Sequence, residues 1–213
     1  MNEHLAYVRR QQAERVMQAL RKNRMQPYYA ATAAEVAPLV KSLVPQGACV
    51  AMGGSMTLAE CGVEALLRGG DYRLLDRYAP GLSREEGERI MREAFFCDWY
   101  FSSTNAVTEA GELYNVDGNA NRVAALAYGP ANVCIVAGIN KIVPDLAAAQ
   151  RRVKETAAPA NTHRLGCATP CAKTGKCENC TGPGRICCTT LVLQQQRAEN
   201  RIKVILVGEE LGY

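Results

Sequence analysis

Long apolar runs are missing from this sequence: nowhere do the ~20 continuous apolar residues of a membrane-spanning helix occur. The opening residues, MNEHLAYVRRQQAERVMQ, are charged throughout and hold no apolar signal-peptide core. A soluble, cytoplasmic protein without membrane contact is therefore expected. Histidine is scarce, with His4 and His163 alone, and no Ser–His–Asp set is supported. His4 reads as a solvated helix residue, and His163 as a loop residue or a metal ligand. The net charge of +4 is too small to argue for nucleic acid. The three-glycine dinucleotide fingerprint is absent. Lys173-Thr174-Gly175-Lys176 fails as a phosphate loop, because Pro170 stands where the first glycine belongs and Cys177 where Ser or Thr belongs. There is no internal repeat.

What the chain has in quantity is cysteine, ten in all. In a reducing compartment, metal ligation is favoured over disulfides. Cys49, Cys61, Cys97 and Cys134 lie scattered in apolar surroundings and read as small buried residues. Cys171, Cys177, Cys180 and Cys187 follow a C-x5-C-x2-C-x6-C spacing in TPCAKTGKCENCTGPGRIC, with Cys167 and Cys188 just outside. From Asn161 to Thr190 the only large aliphatic residues are Leu165 and Ile186, among recurring Gly and Pro. Such a segment cannot offset its ordering entropy by burying apolar surface. Either it is disordered, or a metal centre holds it. The single C-x2-C knuckle and the uneven spacing favour an iron–sulfur cluster, 4Fe–4S in type, with zinc as the alternative. Arg164, Lys173, Lys176 and Arg185 face only Glu178 here. They form a solvated basic loop, or they offset the charge of a thiolate-ligated centre.

A length of 213 residues and a hydrophobic content of 48% suit one domain over 1–213. An amphipathic helix is expected within 1–24 and a metal-binding insertion over 161–190. Strands are expected at Gln26–Ala30, Ala48–Met52, Tyr72–Leu75, Asp98–Ser102 and Ala131–Ala137. Helices are expected at Ala33–Leu43, Thr57–Leu67, Ser83 to about Ala94 (with a Ser83–Glu86 capping box) and Asp145–Lys154. This alternation indicates α/β with a largely parallel sheet. Ala106–Val116 reads as an inserted antiparallel hairpin turning at Ala110-Gly111. Thr189–Gln194 and Lys203–Val207 are expected to return the chain to the sheet.

Gly53, Gly54, Ser55 and Thr57 follow a buried strand and open a helix, a place where backbone and hydroxyls can hold an anion. The polar run SSTNAVTEAGELYNVDGNANR brings Asn105, Glu109, Asn115, Asp117, Asn119, Asn121 and Arg122 to strand ends and turns. Ligands of parallel sheets bind at the carboxyl ends of strands, and Asn140-Lys141 fits the same edge. Arg122 is expected to pair bidentately with a carboxylate or phosphate. Glu109 and Asp117 are the acid/base candidates. Ordinary turn chemistry is the plainer reading of the Asp117–Asn119 corner.

GGSMTLAECG, STNAVTEAGELYNVDGNANRVAALAYGP, VAGINKIV and VILVGEELGY together resemble the lactate-utilisation (LUD) domain family, once labelled DUF162. The likeness runs from Leu5 to Tyr213. It is nearest to small stand-alone members with a TPC-x5-C-x2-C-x-x-P-x-R-I-C segment, here including Cys171, Cys177, Cys180 and Cys187. The resemblance implies a Rossmann-like layered fold of the sugar-phosphate isomerase and CoA-transferase class, with its ligand at the strand-to-helix glycine turn. It places Glu109 where CoA transferases carry a nucleophilic glutamate. It also implies oxidation of L-lactate-type acids alongside partner iron–sulfur subunits, whereas this chain carries a cysteine cluster of its own. The expected function is binding of a small carboxylate or phosphorylated metabolite beside a metal centre, with a redox partner protein. The alternative is a ligand-sensing accessory protein with structural zinc. A homodimer stays open.

Overall fold

The computed structural model describes residues 2–213. Helix α1 (Glu3–Lys22) buries Ala13, Val16, Met17 and Leu20, a stripe at three- and four-residue spacing. Strand β1 (Gln26–Ala30) falls where expected. A 3-10 turn (Ala33–Glu35) then leads into α2 (Val36–Leu43), and β2 (Cys49–Met52) is buried throughout. The single helix expected over Thr57–Leu67 is two, α3 (Met56–Glu60) and α4 (Val63–Arg68). Gly62 separates them at φ +72°, a conformation that glycine enters without steric cost.

Strand β3 (Arg73–Leu75) precedes α5 (Arg84–Glu93), whose start carries the anticipated capping box between Ser83 and Glu86. Next come β4 (Trp99–Ser102) and the expected hairpin of β5 (Ala106–Thr108) and β6 (Leu113–Asp117). They are followed by α6 (Asn121–Tyr128), β7 (Asn132–Gly138), β8 (Ile142–Val143) and α7 (Leu146–Arg152). Asp145 caps α7 by accepting the backbone N–H of Ala148. The helix does not stop at Lys154: it widens through a π turn (Val153–Ala157) into α8 (Ala158–Arg164). Pro159 explains the widening, since its ring clashes with the carbonyl four residues back and it has no N–H to donate. The chain closes with α9 (Pro170–Thr174), β9 (Thr189–Leu193) and β10 (Ile202–Val207).

The main sheet has six strands, all parallel, in the order β1-β10-β7-β4-β2-β3. Alternate residues of each strand face opposite layers. Ala51, Ile135 and Val204 pack with α1 and α6 on one side, while Val50, Val136 and Ile205 pack with α2, α3 and α4 on the other. The hairpin does not extend this sheet. It forms a second, four-stranded sheet in the order β8-β5-β6-β9. Strand β9 therefore pairs with β6 and not with the main sheet, so only β10 returns there.

From β2 the chain runs outward to the edge strand β3, but from β4 it runs the other way, to β7. The strand order reverses between β2 and β4, and the connections leaving Met52 and Ser102 diverge. In open parallel sheets such a reversal leaves a crevice at the carboxyl ends.

Candidate anion site beside the cysteine segment

A cavity of about 310 Å³ opens at that reversal. The β2–α3 turn supplies Gly54, Ser55 and Thr57, and the β4–β5 connection supplies Ser103, Thr104 and Asn105. The β6–α6 corner adds Asp117, Asn121 and Arg122, and Lys141 enters after β7. Apart from Ser103 and Thr104, these are residues the sequence singles out, now brought together from distant segments. Other walls were not foreseen as ligand contacts: Arg77 and Tyr78 before α5, Val153 and Ala157 of the π turn, and Gly212 and Tyr213. Arg77 and Tyr78 sit in a stretch without periodic pattern, which gave no signal. Gly212 and Tyr213 belong to the closing VILVGEELGY motif, which did.

Close approach explains the glycine pair. A Cβ on Gly53 would lie 3.3 Å from Arg122 Cδ, and one on Gly54 only 2.3 Å from the Tyr78 hydroxyl. Gly53 itself packs behind the cavity instead of lining it.

The charged residues lining the cavity are Arg77, Arg122, Lys141, Arg164 and Arg185 against a single acid, Asp117. That carboxylate is committed. Its Oδ1 accepts the Gly118 N–H at 2.9 Å, and its Oδ2 accepts those of Arg122 and Val123 at 2.9 and 3.1 Å, holding the start of α6. None of the ion pairs among the described residues involves a cation of the cavity.

Arg122 does not present a free fork. Its Nη1 donates to Ser103 O (3.3 Å) and Asn115 Oδ1 (2.7 Å), and its Nη2 to Asn105 Oδ1 (3.3 Å) and Val116 O (2.7 Å). All four acceptors are neutral. The bidentate contact anticipated for Arg122 would have to break these bonds, so its contribution is a half-buried positive charge. Burial lowers its pKa, with Asp117 and Tyr100 opposing and Arg77 adding to the fall. The Nε of Arg77 is buried without a hydrogen-bond partner.

Lys141 is 3% exposed. Its Nζ donates to Thr57 Oγ1 at 2.8 Å and to Ser103 Oγ at 2.9 Å. Burial, helped by Arg152 and Arg122, lowers its pKa to about 7, while Glu60 and Cys61 pull the other way.

Besides Gly53, three expected site residues lie elsewhere. Glu109 is exposed on the far hairpin turn, where it accepts a hydrogen bond from Gln12 of α1. Asn115 is fully buried and serves as the Arg122 acceptor. Asn140 ties down the chain end, donating to Gly212 O and accepting from the Leu211 N–H.

The cysteine segment forms part of the cavity wall through Arg185, Ile186 and Cys187. Cys171 is buried in α9, with the hydroxyls of Thr162 and Thr169 3.3 and 3.5 Å from its sulfur. In the C-x2-C knuckle, the Asn179 N–H donates to Cys177 Sγ at 3.4 Å, with Asn179 at φ +50°. The Arg185 guanidinium donates to the carbonyls of Cys180 and Cys187 and so ties the two halves of the segment together. The Cys187 thiol is pushed up to about 11, first by burial, then by Cys177, with Arg185 opposing and Cys171 and Cys180 adding. Among the described residues, no three His, Cys, Asp or Glu side chains are gathered tightly enough to hold a metal ion as they stand.

The sequence matches the LUD domain family over residues 13–207. The fold is similar to that of a DUF162 family protein from Deinococcus radiodurans, at 18% identity and a TM-score of 0.53, covering 93% of this chain and 98% of that one. Weaker likenesses are to the delta and beta subunits of eIF2B from Chaetomium thermophilum. Their TM-scores are 0.35 and 0.36, their identities 14% and 19%; they cover 55% and 53% of this chain, and 50% and 43% of theirs. No curated protein matches the sequence.

Proposed function

Given that the chain belongs to the LUD domain family, we propose that it binds a small organic-acid anion at the β2/β4 reversal and acts in lactate-type acid metabolism. One observation carries this reading: cations outnumber acids around the cavity, and its only acid, Asp117, is spent on backbone N–H groups. Lys141 is buried, Arg77, Arg122 and Arg185 are half-buried and Arg164 is exposed; holding cations partly out of water without a carboxylate partner costs free energy that an anion recovers. The cavity size suits a compact metabolite.

The same reading gives Cys171, Cys177, Cys180 and Cys187 to an iron–sulfur centre, with zinc as the rival metal. The Asn179 N–H on Cys177 Sγ and the hydroxyls on Cys171 Sγ suit thiolate ligands, whose charge such bonds stabilise. A cluster held there would supply one-electron transfer to or from a redox partner protein. What the chain itself does is hold the anion, exclude water around Lys141 and keep the cysteine segment against the bound molecule.

Thermal unfolding with L-lactate, pyruvate or inorganic phosphate is expected to show a concentration-dependent rise in Tm. Gly54→Val, which drives a side chain into Tyr78, is expected to remove that rise. If none of the three anions stabilises the protein, or the variant gains as much as the parent, the site lies elsewhere.

A further inference from the structure

Lys141 combines features that anion binding alone does not require. An ammonium has three N–H groups to satisfy, yet Nζ meets two acceptors, Thr57 Oγ1 and Ser103 Oγ. Those two bonds use both hydrogens of a neutral amine and leave its lone pair as the remaining tetrahedral position. No carboxylate pairs with Lys141 among the described residues, and Arg122 and Arg152 add their fields. The pKa of about 7 agrees with an amine that is largely uncharged just above neutrality. Ser103 also links the amine to a neighbouring cation, because its hydroxyl takes Lys141 Nζ while its carbonyl takes Arg122 Nη1. A carboxylate drawn toward Arg122 thus brings the carbon next to it toward the amine.

We infer that Lys141 is a covalent site for 2-oxo acids, its Nζ condensing with the keto group of a small carboxylate held in the cavity. The inference rests on the anion reading above and adds a substrate class and a reaction to it. The nitrogen lone pair forms a C–N bond to the carbonyl carbon as the C=O π pair moves to oxygen. A proton passes from nitrogen to that oxygen, giving a carbinolamine. Protonation and loss of the hydroxyl as water, with departure of the second N–H proton, leave a C=N bond. The step is a reversible dehydration and consumes no oxidant or reductant. Thr57 and Ser103 stand within hydrogen-bond reach of the nitrogen to carry those protons.

The test incubates the full-length protein with pyruvate and sodium cyanoborohydride, which reduces an imine to a stable secondary amine, and reads intact mass and peptide maps. One reduced pyruvyl adduct on the Lys141 peptide is expected, with a yield that rises as pH passes upward through about 7. Lys141→Arg and Lys141→Gln should reduce the adduct to the level seen on exposed lysines; the Gln variant covers the case in which the Arg variant does not fold. Absence of an adduct on native protein, or equal labelling of another lysine in either variant, overturns the inference. L-lactate in the thermal assay separates the two readings. If lactate stabilises the protein but pyruvate leaves no adduct, only the covalent step falls. If neither of them nor inorganic phosphate binds, the anion site falls with it.

Discussion

Arg122 has four hydrogen bonds to neutral acceptors. A lysine there has one nitrogen and cannot span Ser103 O, Asn115, Asn105 and Val116 O together. Arg122→Lys is therefore expected to cost about 2–4 kcal/mol, since each stranded buried acceptor costs about 1–3 kcal/mol. Urea unfolding without ligand checks this, and an unchanged midpoint would show that the bonds are not needed. The sequence suggests the opposite outcome, a fold left intact and only ligand binding weakened. Residue type and position after a turn mark Arg122 as functional, but nothing in the sequence shows that Asn115 and Asn105, several residues away on β6 and before β5, would consume its fork. The place of Lys141 in the cavity wall was legible because it follows an apolar strand. Its burial was not, because it depends on Thr57 and Ser103, which arrive from α3 and from the β4–β5 connection.

Single elements were largely readable, and their breaks less so. The buried run of β7 and the capping box before α5 are local signals that the structure repeats. The break between α3 and α4 was hidden, since one glycine within an apolar pattern is compatible with a continuous helix. The structure makes that glycine a clean test. A Cβ at Gly62 meets nothing closer than the Ala37 Cβ at 3.8 Å, so Gly62→Ala adds no clash and isolates the backbone cost of φ +72°. The expected loss is about 1–2 kcal/mol, read as a lower denaturation midpoint with unchanged slope. A changed slope would mean that the two helices had fused. The second sheet was also unreadable from sequence. Pairing partners of β5, β6 and β9 are set by where the chain leaves β4, and the alternation of a strand does not say which sheet it joins.

At the scale of the molecule, the cavity exists because the strand order reverses between β2 and β4, and the cysteine segment closes one side of it. Metal content and anion affinity are therefore expected to move together. With the metal centre proposed above, Ser substitution of Cys171, Cys177, Cys180 or Cys187 should lower the metal bound after anaerobic preparation, because ligation there would also be folding energy for residues 161–190. The same variants should bind pyruvate or phosphate more weakly, since Arg185 and Cys187 leave the wall. Metal analysis and the thermal shift read the two effects separately. Unchanged metal content in all four variants would remove these thiols as ligands.

The placement of β10 has a further consequence, in time as well as space. Strand β1 is an edge strand whose neighbour is β10, with Gln26 opposite Lys203, and the buried stripe of α1 packs in the same layer as Ile202, Val204 and Leu206. During synthesis, α1 and β1 emerge before every other strand of the sheet and must wait for β10, the last of these strands, before their partner exists. Closing so long a loop is entropically costly, so this edge belongs to the slow part of folding. Until β10 is made, the apolar face of α1 and the open side of β7 stay exposed to other nascent chains and to chaperones.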